Sequence, residues 1–497
     1  MHRSSQCRHG VSRRDFLVAT AGFVAAGAPL AYLYSDEALS HLRRFAQAVD
    51  GSLTEQTKKT AEKAYLMPGR HRGKVVEVQH PDAVRPDNTI NAPAVDAMID
   101  QGMIALTGAG HPHEAWGSFF EKSDVIGIKV NPVGRKAKLG EGGRVTGAVG
   151  AISSPEVLLK VVASLKDIGV PAKNIIVFER YANEFCDAGY DQVMFERVMD
   201  GVRWFASGSG YGIQLDVTGF DGGRSGVSPE LAKHVVGYDP DVFVNMGFAA
   251  PGTDQRDDRR FRSHLSMIVS RMVNKFITLP VLKDHRSAGV TLSLKNMSHG
   301  MNNNVARSHI SGIRREAVQA GDGSAYAAAF TVESGPNQCN TFIPTAVNQH
   351  RMRQKAALHI LDGLIGVYEG GPGSWNQSWA TWRRKSLFFA TDPVALDLVG
   401  WRILDAKRAA EGWPSVANMG LLNHTDSWKI STALAGFAVS PPLAAAATQA
   451  VSQNRLGGSQ TEIFDRRTPE HVILAGTLDL GDFDPATIQH RHLQMKA

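Results

Sequence analysis

The chain is 497 residues long, with 43% hydrophobic, 21% charged and 8% aromatic residues. That balance belongs to a folded globular protein and excludes a disordered chain, a collagen and a coiled coil. Its net charge is +6, and residues 1–34 carry half of it, with Arg3, Arg8, Arg13 and Arg14 against Asp15 alone. The excess charge is thus partly local, and no nucleic-acid surface is expected. The short clusters Arg259-Arg260-Phe261-Arg262 and Arg383-Arg384-Lys385 read as solvated faces.

There are three cysteines, Cys7, Cys186 and Cys339. They are too few and too scattered for a CxxC redox motif, a CxxCH haem site or a four-cysteine zinc site. Spacing leaves open whether Cys186 and Cys339 pair.

The N-terminus, residues 1–34, reads Ser12-Arg13-Arg14-Asp15-Phe16-Leu17 and continues apolar to about Leu33. Paired arginines before a small-residue-rich apolar run have the form of a bacterial twin-arginine export signal. The expected partner is the twin-arginine translocase, and the expected location is periplasmic. Ala26-Gly27-Ala28 has the small-x-small form of a cleavage site, but Pro29 follows it. The apolar run is at the lower limit for spanning a bilayer, so the leader is either removed or kept as an anchor. The membrane is otherwise not expected as a partner. Because this route carries folded proteins, it raises the prospect of a bound metal or cofactor.

Residues 35–72 read as a polar helical linker. From Gly73 the pattern changes: Lys74–Val78 reads as a strand, Ala92–Gly102 as a helix and Val125–Val130 as a second strand. Ser153-Ser154-Pro155-Glu156 is a helix start, with a serine as N-cap and proline at the first helical position. Gly169 ends that helix, and Asn174–Phe178 is an apolar run of the kind buried in a parallel sheet. Further strands are expected at Val242–Asn245, Phe276–Pro280 and Leu358–Leu361, and a helix at Pro393–Asp405. The alternation predicts an α/β fold, with a largely parallel sheet and helices on both faces, over residues 73–405. Residues 406–497 read as a C-terminal extension packed on the core, with a helix at Leu443–Val451 and a strand at Val472–Leu480.

No P-loop, HExxH, GxSxG or dinucleotide fingerprint occurs. The segment richest in polar chemistry runs from Leu279 to Asn304, with His309 just beyond. A strand ending at Leu279-Pro280 would deliver Lys283 and His285 to the carboxyl edge of the sheet, where open α/β folds bind ligands. Lys283, His285 and Lys295 are therefore the candidate catalytic residues. Lys129, Asn131, Asn296 and Asn303 are candidates for holding a substrate, since lysines and amides suit a carboxylate or phosphate. His285, His299, His309 and Asp362 are the candidate ligands of a divalent metal. Asp392 suits an N-cap or, at a polar strand end, a place in the site, Asp397 is expected to face out from its helix or pair locally, and His111 and His113 read as surface residues.

Five segments together resemble the domain of unknown function 362 family: Val125–Asn131, Ser154–Phe178, Leu279–Asn296, Ile360–Gly373 and Thr391–Asp397. The resemblance implies an α/β domain without a defined reaction. Some relatives carry a cysteine-rich iron–sulfur segment; this chain lacks the cysteines, so no iron–sulfur cluster is expected. The expectation is an exported enzyme, metal- or cofactor-dependent, acting on a small anionic substrate. The alternative is a non-catalytic periplasmic binding or assembly protein that captures a metal or an anion.

Overall fold

Apolar runs with no polar break form the centre of the sheet. In the computed structural model, Ile126–Lys129 is strand β2 and Ile175–Tyr181 is β3, after β1 at Lys74–Gln79. The residues described are 65–134, 151–210, 220–245, 262–285, 288–305, 339–373, 379–413 and 469–496, with a few isolated positions between them. The leader 1–34, most of the linker 35–72, the helix expected at Leu443–Val451 and His309 lie outside them. Among the described residues, no helix is long and apolar enough to cross a membrane.

Besides three two-residue strands at Lys138–Leu139, Val145–Thr146 and Gly289–Val290, the described residues form β4 (Arg203–Gly208), β5 (Tyr238–Asn245), β6 (Arg262–Ser266), β7 (Lys275–Thr278), β8 (Val281–His285), β9 (Ala356–Glu369), β10 (Ala380–Trp382), β11 (Ser386–Ala390) and β12 (Gln489–Gln494). The main sheet runs β12-β1-β11-β9-β7-β2-β3-β4. Strands β9, β7, β2, β3 and β4 are mutually parallel, and β11 runs against its neighbours β9 and β1. This is the α/β architecture expected from the sequence. Val242–Asn245 forms a strand, but within an antiparallel pair of β5 and β6 set apart from the main sheet.

Side chains alternate across a strand, and the alternation divides the core in two. Val76 and Val78, Ile126 and Ile128, and Ile175 and Val177 face one layer. It is covered by helices α1 (Ala92–Thr107) and α2 (Pro155–Asp167). Val75, Ile176, Phe178 and Phe276 face the other. There they meet α3 (Leu292–Met301), α4 (Cys339–Val347), α5 (Pro393–Ala410) and α6 (Glu470–Thr477). Helix α1 comes so close to the sheet that a Cβ on Gly102 would overlap the Phe389 ring.

Two expectations are corrected. Val472–Leu480 is not a strand: Glu470–Thr477 is helical and buries Val472, Leu474 and Ala475. A short apolar run has the same composition in a buried helix and a buried strand, which is why its pattern misleads. Asp397 does not face out; it is fully buried, and its role is given below. Strand β12 lies parallel to β1 in register from Lys74↔Gln489 to Gln79↔Gln494.

Candidate functional site

Strands β2, β3 and β4 step in one direction across the sheet, and the chain then returns to lay β7 on the opposite side of β2. The reversal lies between β2 and β7, and ligands of open α/β sheets bind beyond the carboxyl ends at such a point. Lys129 ends β2, paired in register with Thr278 at the end of β7 and with Phe178 of β3. Glu179 and Arg180 follow on β3.

The buried Lys129 ammonium donates to Glu179 Oε2 (2.5 Å), to the Val130 carbonyl (2.7 Å) and to Asn296 Oδ1 (3.2 Å). All three of its N–H groups are thereby spent. Burial lowers its pKa and the Glu179 carboxylate opposes this. Gly300 lies directly against this side chain; a Cβ there would stand 2.5 Å from Lys129 Cε. Since lysine only donates, Oδ1 must be the atom of Asn296 that faces it. Nδ2 is then directed elsewhere, buried and without a hydrogen-bond partner among the described residues.

Lys283 is carried inside β8 rather than on a loop, and is also fully buried. It donates to Asn131 Oδ1 (3.3 Å) and to the Val133 carbonyl. Burial, then the nearby Lys295 cation, push its pKa down to about 7. Lys295 lies on α3, and burial lowers it to about 8, with the Cys339 thiol opposing and the Arg180 cation adding to the effect. Arg180 donates to the His299 carbonyl (2.9 Å), tying β3 to α3. Ser153 braces the floor: its hydroxyl donates to the Leu279 carbonyl (2.5 Å) and accepts from the Asn131 N–H (2.8 Å).

Helix α3 is held in place from below. Asp397 accepts the N–H groups of Ser293 (2.7 Å) and Leu294 (2.9 Å), and so caps a helix with which it shares no local sequence. Ser293 Oγ and Thr278 Oγ1 both meet His359 Nδ1, at 2.9 and 2.7 Å. Burial lowers the His359 pKa to about 3, so this imidazole is neutral.

The structure brings together Lys129, Asn131, Lys283, Lys295 and Asn296, all proposed from sequence. Others are engaged elsewhere. His285 Nδ1 accepts from the Ala288 N–H (3.1 Å) at the turn after β8. His299 contacts Ser298 Oγ (3.1 Å) and Ser308 Oγ (2.7 Å). Asn303 Oδ1 accepts the His264 N–H (2.6 Å), pegging the chain just after α3 to β6. Asp362 accepts the N–H of Ser154, the residue before α2, at 2.7 Å, and that of Leu364 at 3.0 Å. Its two oxygens thus serve the backbone. Among the described residues, no three His, Cys, Asp or Glu side chains gather as a metal-holding group. Cys186 and Cys339 are free thiols.

Asp392 is the N-cap of α5, as expected, and also accepts the N–H groups of Gly73 (2.9 Å) and Asp482 (2.8 Å). His111 and His113 are exposed. Glu179, Arg180 and Ser153 were missed from the sequence. The signal for the first two was present: polar residues ending an apolar strand, the same rule that selected Lys129.

Residues 256–402 match the family model described as "Domain of unknown function (DUF362)". The matched stretch contains β7, β8, α3 and β9, hence Lys283, Lys295, Asn296 and the bracing His359 and Asp397. The family segment does not reach Lys129 or Glu179, so one wall of the site comes from the family match and the other from chain outside it. No curated protein matches the chain.

Proposed function

We propose that this chain is an enzyme acting on a small anionic substrate at the carboxyl ends of β2, β3 and β7, with Lys283 as its acid–base group. One observation carries this reading: a fully buried lysine whose hydrogen bonds go to neutral oxygens, with a second lysine close enough to depress its proton affinity. Among the described residues no carboxylate forms an ion pair with Lys283, although Glu179, Glu184 and Asp284 favour its charge from farther off, and a buried charge so placed is costly. An anion entering the site would offset that cost by drawing a proton onto Lys283.

Neutral Lys283 has two N–H groups, which match the Asn131 and Val133 oxygens and leave its lone pair to take a proton. Protonated, it has one further N–H for a ligand oxygen. A group poised near neutral pH is suited to general acid–base work. Lys129 is locked in a charge-neutral pair with Glu179 and holds Asn296 in place, while Asn296 Nδ2 offers a donor to an anion oxygen. The leader supports the further reading that the protein is exported by the twin-arginine route and works in the periplasm.

A non-catalytic binding protein is the second reading. It is favoured by Asn296 Nδ2, a buried donor that needs a ligand but no chemistry. Isothermal titration of the full chain with phosphate, sulfate and small mono- and dicarboxylates at pH 6 and pH 8.5 tests both. Binding about tenfold or more tighter at pH 6, and lost in Lys283→Met, is expected. Mass spectrometry of the bound anion then separates the two readings: conversion favours the enzyme, unchanged ligand the binding protein. No pH-dependent binding of any anion contradicts both.

A further inference from the structure

We propose that a cleft of about 450 Å3 along the outer face of α5 binds a small organic anion with an apolar body. The cleft lies between α5, the β10 strand with the turn after it, and the segment leading into β12. None of its lining residues belongs to the lysine cluster. It is thus independent of the function proposed above.

Helical spacing builds the α5 wall. Leu398, Arg402 and Ala406 stand four residues apart, as do Val399, Ile403 and Lys407, giving two adjacent rows on one face. Trp382, Pro485 and Ile488 complete an apolar lining. The volume falls in the range of small-molecule sites, about 300–1,000 Å3.

The charges around this lining have one sign. Arg384, Arg402, Lys407 and His490 line the cleft, and no carboxylate does among the described residues. Three of the four are committed elsewhere. Arg384 and His490 hold Glu77, at 2.7 and 3.0 Å, and Lys407 pairs with Glu411. Arg402 is exposed, with no ion pair or hydrogen bond among the described residues. An anionic head would meet Arg402 at the rim, and an aromatic or short alkyl body would lie against Trp382, Ile403 and Ile488. The ligand class is therefore an aromatic or medium-chain carboxylate.

Isothermal titration of the full chain with 2-naphthoate and octanoate tests this, beside the uncharged 2-naphthol and octanol. Saturable one-to-one binding is expected for the carboxylates and at least tenfold weaker binding for the alcohols. Arg402→Gln is expected to weaken carboxylate binding about tenfold. Ala406→Trp, which fills the cleft from an exposed position, is expected to abolish it, and Lys283→Met to leave it unchanged. Absence of saturable binding overturns the proposal, as does binding that ignores both cleft variants. Loss of binding in Lys283→Met alone would place the carboxylate at the lysine cluster and overturn it equally.

Discussion

Asp397 accepts the backbone N–H of Ser293 at 2.7 Å, so the helix that carries Lys295 and Asn296 is capped by a carboxylate on another helix. The second oxygen takes the Leu294 N–H at 2.9 Å. Burial raises the Asp397 pKa well above its ordinary value, against the pull of these two bonds. Asp397→Ala leaves two buried donors without a partner and is expected to cost about 2–4 kcal/mol of stability. Chemical denaturation measures the loss. A change below about 0.5 kcal/mol would show that α3 does not depend on this cap.

Gly300 lets α3 lie on the Lys129 side chain. Gly300→Ala places a methyl 2.5 Å from Lys129 Cε and 2.7 Å from its Nζ. The lysine must then leave either Glu179 or Asn296. Strain of this kind costs about 1–3 kcal/mol, and anion binding is expected to fall at least tenfold. An unchanged Kd would separate Lys129 from the site.

Lys283 makes stability depend on pH in a direction opposite to that of an ion-paired lysine. Its folded pKa of about 7 lies below the ordinary 10.5. Between those values the unfolded chain holds the proton and the folded chain does not, so stability from this group rises with pH. Below about pH 7 both states are charged and the full burial penalty applies. Lys283→Met is therefore expected to be more stable than the parent at pH 6, by about 1–4 kcal/mol. The gap should close progressively between pH 7 and pH 10.5. A methionine variant less stable at pH 6 would contradict this.

Glu77 sets the acid limit at the other end of the sheet. Burial alone would raise its pKa; hydrogen bonds from His490 and Ser386 and the Arg384 and His492 charges overcome that and lower it to about 2. Its contribution is present above about pH 4.5 and is lost as pH falls through about 2. Glu77→Gln is expected to cost about 3 kcal/mol or more at pH 7, as when one partner of a buried pair is removed. Because His490 and His492 lie on β12, hydrogen exchange of that strand should accelerate as well. Unchanged exchange would mean that main-chain pairing with β1 holds it alone.

Much of this was legible in the sequence because two strong rules apply. The apolar runs of β2 and β3 have no other place than a buried parallel sheet, and Pro155 and Gly169 frame α2 as helix punctuation should. The rule that sites form at strand ends selected Lys129 and, through the segment after β7, Lys283. What stayed hidden is the helix that carries Lys295 and Asn296, because burial and polarity coincide there. Residues 292–301 include Lys295, Asn296, Ser298 and His299, yet every one of the ten is buried. A helix that turns its polar residues into a site has no polar and apolar stripes, so its periodicity is hidden. Asp397 was misjudged for the same reason: a carboxylate on a helix reads as surface until its remote backbone partners are known. Asp362, proposed as a metal ligand, has one oxygen on the Ser154 N–H ahead of α2 and the other on the Leu364 N–H, partners that only the fold reveals.

The leader gives a prediction independent of the fold. Replacing Arg13 and Arg14 together with lysine is expected to retain the full chain in the cytoplasm, with the periplasmic fraction falling at least tenfold on immunoblots. Undiminished periplasmic protein would contradict export by the twin-arginine route.

The most direct measurement is the titration of Lys283 itself, by NMR of the full chain carrying 13C-labelled lysine, with Lys283→Arg assigning the signal. The account predicts a midpoint near pH 7 that moves upward when a small anion binds. A midpoint above pH 9, or one that no anion shifts, would contradict the assignment of Lys283 as the acid–base group of an anion site.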